Sequence, residues 1–342
     1  MIGRRALLGG ASALVSTALA GPAARAQYFP NGIEERALRF AGSGGATLAG
    51  TFTVPSIAEI RRVPGVVLIA GSGPTDRDGN NPLIPARVDV LKQIAQALAR
   101  AGIASLRYDK RGIGGSAVVP RLNAERRESF FAWRAFVEDV QAAHAELLRH
   151  DEIKTYATAL LGHSEGGLLA IAASVAMGKA RPYGLVLAAT PGRPLGQIVH
   201  EQIARTAAPM TAEADRIIAA IERTGEVPAD APPAFEAIFP AYAGAFLQSA
   251  FAFDPARALG ETDIACLLVQ GDADTQVVPP GDIQPLLDTL ARRHAPGEAF
   301  FAPAVSHNLK LVSGPGDPGF AGPLAPAVAI KLTGWLGHLL AA

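Results

Sequence analysis

Cysteine is nearly missing from this sequence: Cys266 is the single one in 342 residues. That excludes an intramolecular disulfide and any cysteine-based zinc cluster. An excess of charge is missing too, with 31 Lys and Arg against 31 Asp and Glu. No long basic run stands out, so nucleic acid is not an expected partner, because its binding needs a concentrated positive face. No His/Asp/Glu cluster has metal spacing, and no phosphate or dinucleotide loop opens a helix; Gly112 to Gly115 lacks the follow-on pattern. Neither a metal nor a cofactor is therefore expected. What is plentiful is apolar material, 49% of the residues, which excludes a wholly disordered chain.

The first segment reads as an address. Met1 to Ala26 opens with Arg4-Arg5, continues through the apolar run Ala6 to Ala20 and closes on Ala24-Arg25-Ala26, an A-x-A pattern suited to signal peptidase. The run falls short of the roughly 20 residues of a comfortable bilayer span, so no stable membrane anchor is expected. The arginine pair resembles a twin-arginine export signal, with Gly3 where that pattern usually has Ser or Thr. Cleavage would leave 28 basic against 31 acidic groups. A periplasmic or secreted location follows as the expectation.

Beyond it, short apolar runs alternate with amphipathic stretches. Ala37 to Phe40 and Thr47 to Val54, parted by Gly42-Ser43-Gly44-Gly45, predict an antiparallel hairpin. Val66 to Ala70, Ile103 to Tyr108, Ala157 to Leu161, Gly184 to Ala189, Cys266 to Gln270 and Glu298 to Phe301 predict buried strands. Val90, Ile94, Ala97 and Leu98 mark one helix face, and Phe136, Val140, Ala143 and Leu147 another. Near-continuous apolar strands between such helices imply a mostly parallel sheet covered on both faces, an α/β fold. From about 191 to 262 no strand candidate occurs. Leu195 to Thr206, Ala212 to Arg223 and Ala234 to Phe253 predict helices there, which together read as a cap inserted into one domain spanning 27–342. Phe235, Phe239, Tyr242 and Phe246 recur at helical spacing. Phe239, Tyr242 and Phe246 are candidates for lining a substrate pocket, and docking of the cap on the body is an equally good use of that stripe.

Chemistry begins at Ser164. Gly162-His163-Ser164-Glu165-Gly166 follows a predicted strand and opens the predicted helix Gly166 to Ala176. In that G-x-S-x-G setting the serine sits on a tight turn, with glycines two residues away on either side to leave it room. Its hydroxyl stands at a helix N-terminus, where developing negative charge is favoured.

These residues resemble the α/β-hydrolase superfamily over most of the chain. More narrowly they resemble bacterial exported serine esterases of the serine aminopeptidase-like or dienelactone-hydrolase-like branch. The shared pieces are Ala70-Gly71-Ser72-Gly73-Pro74-Thr75-Asp76-Arg77-Asp78-Gly79-Asn80, Tyr108-Asp109-Lys110-Arg111-Gly112-Ile113-Gly114, the Ser164 turn, Gly271-Asp272-Ala273-Asp274 and Ser306-His307-Asn308. The resemblance implies an α/β-hydrolase fold and a serine nucleophile served by an acid and a base, in chain order Ser, acid, His. His307, in a loop after a predicted strand, is the expected base. The acid is Asp274 or Asp272. Resemblance favours Asp274, three residues after the glycine that ends its strand, and two more residues of loop let it turn back toward the base. The oxyanion donors are then the backbone N–H of Glu165 and, by resemblance, that of Ser72, with Gly73 open as the alternative. His163 is expected to lie beneath the turn as a buried hydrogen-bonding group. Arg77 and Arg111 are read chiefly as parts of a salt-bridged frame, and secondarily as contacts to an acidic substrate. The implied activity is hydrolysis of a small-molecule carboxylic ester through an acyl-serine intermediate. A peptidase or amidase on the same residues, and a non-catalytic binding module, are the competing readings.

Overall fold

The computed structural model describes residues 27–29 and 32–341, apart from 60, 85, 117–123 and 315. The export segment expected at Met1 to Ala26 lies outside the described residues. The chain runs β1 (Gln27–Phe29), β2 (Ile33–Ala41), β3 (Thr47–Pro55), β4 (Val63–Ile69), α1 (Val90–Arg100), β5 (Ala104–Tyr108), α2 (Ala124–Phe130), α3 (Trp133–Leu147) and β6 (Ile153–His163). It continues through α4 (Glu165–Met177), β7 (Gly184–Ala188), α5 (Leu195–Thr206), α6 (Thr211–Thr224), α7 (Gly244–Ala252), α8 (Pro255–Gly260), β8 (Ala265–Gly271), α9 (Gln284–Arg292), β9 (Gly297–Ala302) and α10 (Pro326–Leu339).

The nine strands form one sheet in the order β1-β2-β3-β5-β4-β6-β7-β8-β9. β2 and β3 pair antiparallel from Ile33 opposite Pro55 to Ala41 opposite Thr47, and β3 meets β5 antiparallel. From β5 to β9 every pairing is parallel. Strands buried on both faces need apolar residues at every position rather than at alternate ones, and β5, β7 and β8 are buried throughout. One face carries the core of Val67, Ile69, Leu106, Leu160 and Leu187 against Val140, Leu147, Leu168 and Ile171. The other carries Val66, Leu68, Leu161 and Val269 against Leu91, Ile94, Leu98, Val328 and Leu332 of α1 and α10. The chain leaves β4 toward β5 on one side and returns across it to β6 on the other. Their C-terminal ends therefore flank a topological switch point, where open α/β sheets leave a crevice.

Between β7 and β8 the described residues carry helices and short turns. Their apolar side chains close on one another: Ala214, Ile217, Ile221, Phe235, Phe239, Leu247 and Phe251 form a third core. The single helix predicted from Ala234 to Phe253 does not form. Pro233–Phe235 and Ala241–Ala243 are isolated 3-10 turns, and a helix begins only at Gly244. Pro240 is the physical reason: it lacks an N–H to donate back and stands in extended backbone. The four aromatics consequently do not share one helical face.

Candidate active site

Four loops lie at this end of the sheet: the turn after β6, the loop after β4 and the loops that follow β8 and β9. Ser164 follows β6 and caps α4 with φ 55° and ψ −125°, a conformation that costs a non-glycine residue on the order of 1–3 kcal/mol. The surroundings enforce it. A Cβ on Gly162 would strike the Gly166 carbonyl, and one on Gly166 would strike the Ile69 carbonyl. A Cβ on Gly71 would come within 3.3 Å of the Ser164 Cβ, so the loop after β4 lies directly against the serine.

His307 and Asp274 are brought together. His307 Nδ1 is 2.9 Å from Asp274 Oδ2. The Asp274 carboxylate is saturated with donors: Gln270 Nε2 reaches Oδ2 at 2.9 Å, and the Gln276 and Val277 N–H groups reach Oδ1 at 2.8 and 2.9 Å. Burial pushes this carboxyl up, but the neighbouring imidazole and these hydrogen bonds outweigh it and hold the carboxyl below its ordinary value. An ionised Asp274 only accepts, so the Nδ1 of His307 is the donor in this pair and its Nε2 is the ring atom left for other partners. Asp272 goes elsewhere: its Oδ1 takes the Ala304 N–H at 2.6 Å, bracing the loop after β9.

His163 links the serine turn to the loop of His307. Its ring lies 5.0 Å from that of His307, and its Nε2 donates to the His307 carbonyl at 2.8 Å. Burial and the nearby His307 lower its pKa to about 4, so it is neutral near pH 7. No hydrogen bond joins Ser164 Oγ to His307 among the described residues. The His307 loop is tied down by Ser306, whose hydroxyl donates to Gly319 and accepts from Asn308.

Glu165 is the first residue of α4, and neither its N–H nor that of Ser72 is taken up by a described backbone carbonyl. The charged clusters form a frame. Arg77 binds Asp109 at 2.6 Å, Arg107 binds Asp78 at 2.8 Å, and Arg111 is locked to Asp139 at 2.6 Å with both side chains buried. Arg111 also donates to the Phe130 and Ala135 carbonyls, and so it does not face a substrate. Phe239 is corrected as a pocket residue: it stacks on Phe235 inside the cap core and is 2% exposed. Phe246 packs on Trp133 and Phe136, which docks the cap on α3, and the exposed Tyr242 leans on Phe131.

Sequence reasoning missed Gln270 and Lys110. A lone amide at the end of the otherwise apolar Cys266-Leu267-Leu268-Val269 run was the available signal for the first. Lys110 donates to the Gly71 carbonyl and lies 3.4 Å from Glu165; no linear pattern announces that contact. Among the described residues no group of His, Cys, Asp and Glu could hold a metal ion, and no helix is long and apolar enough to cross a membrane.

Residues 87–228 match a family model described as Hydrolase_4, serine aminopeptidase, S33, a span that holds Ser164 and ends before Asp274 and His307. Esterase EstD of Thermotoga maritima is 30% identical over 175 residues, covering 51% of this chain and 36% of that protein. The match thus spans little more than a third of that relative's length. Among solved structures, α/β hydrolase GrgF from Penicillium sp. sh18 covers 90% of this chain and 99% of its own, with TM-score 0.57 and 18% identity. Est1E from Butyrivibrio proteoclasticus covers 90% and 99% with TM-score 0.55 and 15% identity. At such identities the likeness is one of fold. Parallel sheet, turn-borne serine and these structural neighbours together give this chain the α/β-hydrolase fold.

Proposed function

We propose that this chain is a serine hydrolase that cleaves carboxylic esters of small molecules, with Ser164, His307 and Asp274 as its triad. The observation that carries the reading is the buried Asp274–His307 hydrogen bond beside a serine on a strained strand-to-helix turn. In the first half-reaction Nε2 of His307 takes the Ser164 proton as Oγ attacks the ester carbonyl. The oxyanion is received by the Glu165 and Ser72 N–H groups. The tetrahedral adduct then collapses as His307 gives its proton to the departing alcohol, leaving an acyl-Ser164. In the second half-reaction His307 deprotonates water, which attacks the acyl carbon; Ser164 is regenerated and a carboxylic acid leaves. Asp274 keeps the imidazole in the required tautomer and stabilises its charged form.

Ester preference is supported by the partial identity to an esterase. The match to a serine aminopeptidase model keeps a peptidase as the second reading. Purified protein should hydrolyse p-nitrophenyl esters well and aminoacyl-anilides poorly, and a fluorophosphonate should label Ser164. Ser164→Ala should fold, lose labelling and lose turnover by several orders of magnitude. Equal labelling of both proteins would overturn the assignment, and faster anilide cleavage would install the peptidase. We also propose export directed by Met1 to Ala26; recovery of the full chain only from the cytoplasm of a bacterial host would refute it.

A further inference from the structure

Lys110 stands on the loop after β5 with its side chain 5% exposed, and both partners of its Nζ belong to the proposed oxyanion hole. The first partner is the carbonyl of Gly71. That oxygen and the N–H of Ser72 are two ends of one trans peptide and point in opposite directions. An ammonium on the oxygen therefore fixes the plane in which the N–H lies. It also draws electron density from the nitrogen, making the N–H a stronger donor. The second partner is the carboxylate of Glu165, 3.4 Å away and equally buried. The backbone N–H of that same residue is the other donor. One ammonium thus ties together the two peptides that receive the anion, at the point where Gly71 touches Ser164.

We propose that Lys110 is a positioning residue for the oxyanion hole: it sets and polarises the Ser72 donor and anchors that donor to the helix that supplies the Glu165 donor. This rests on the serine-hydrolase reading above. A frame residue would hold the loops together and stop there. A positioning residue matters most when charge develops on the substrate oxygen, so its loss should appear in kcat and in binding of oxyanion adducts rather than in KM.

The test is the paired variant K110M/E165M, which removes a buried ion pair without leaving half of it unpartnered. Both backbone N–H groups remain. It is compared with wild type in ester kinetics and in inhibition by a trifluoromethyl ketone. Ser164 Oγ adds to that ketone, its proton passing to His307, and the carbonyl oxygen becomes a tetrahedral oxyanion. The expected result is a kcat about 10- to 100-fold lower, somewhat less than loss of a whole oxyanion donor. KM should stay within about twofold, and the inhibition constant should rise by the same factor as kcat falls. Lys110→Met alone should show the same kinetic losses at a lower melting temperature. Wild-type kcat and ketone affinity in K110M/E165M would overturn the proposal, as would a loss confined to KM. A wild type that neither hydrolyses esters nor takes up fluorophosphonate would bring down the serine-hydrolase reading, and this inference with it.

Discussion

Asp274 and Asp272 sit two residues apart on one loop and do different work. Asp274 faces the imidazole with every oxygen engaged, whereas Asp272 spends its carboxylate on the Ala304 N–H. Asp274→Asn should drop turnover by roughly 10⁴ near neutral pH with little change in melting temperature, because the amide favours the wrong imidazole tautomer. Asp272→Asn should lower the melting temperature and retain most turnover. Measured side by side, the opposite pattern would reassign the acid. The sequence offered both carboxylates; resemblance favoured Asp274 and the longer reach of its loop agreed, and it is Asp274 that meets His307. The donors that hold Asp274 were harder to read. Gln270 reaches it from the strand end, and the His163 ring meets a carbonyl 144 residues away. The His163 contact is made by closure of distant loops and leaves no periodic trace in the chain, whereas for Gln270 the lone amide on an apolar strand was the only local sign.

Among the elements, those with strong periodicity were the ones a reader of the sequence could draw. The hairpin and all six later strands fall where apolar runs stand between turn residues, with no end shifted by more than four residues. The three-residue strand Gln27–Phe29 carries too short a pattern to announce itself. The cap was harder, since Pro240 divides a stretch whose aromatic spacing mimics one helix. Phe239 gained a different role from that division: it fills the cap core rather than a pocket. Phe239→Ala should therefore destabilise the protein by about 3–5 kcal/mol, the usual range for a buried phenylalanine. The chain-length profile across p-nitrophenyl esters should not move. A shifted profile with an unchanged melting temperature would return Phe239 to the pocket wall.

At the scale of the whole molecule, two imidazoles are buried neutral. His144, hydrogen-bonded to Thr158 at 2.9 Å, and His163 are each lowered from 6.5 to about 4, chiefly by burial. Between those values the unfolded chain binds a proton at each that the folded protein refuses, so stability should fall as pH drops from 6.5 toward 4. His144→Gln should make the fall shallower by about one proton, read from urea midpoints across that window. A wild-type midpoint constant over the window, or an unaltered slope in the variant, would contradict this. The glycines around Ser164 carry a different kind of consequence. Gly71, Gly162 and Gly166 leave backbone packed on backbone where side chains would otherwise be. Such a contact has no rotamer to adjust, so the turn can be inherited or lost but hardly tuned. The helices from Leu195 to Gly260 meet one another through side chains instead, which can repack around a substitution. The fold thereby divides into a part closed to drift and a part open to it.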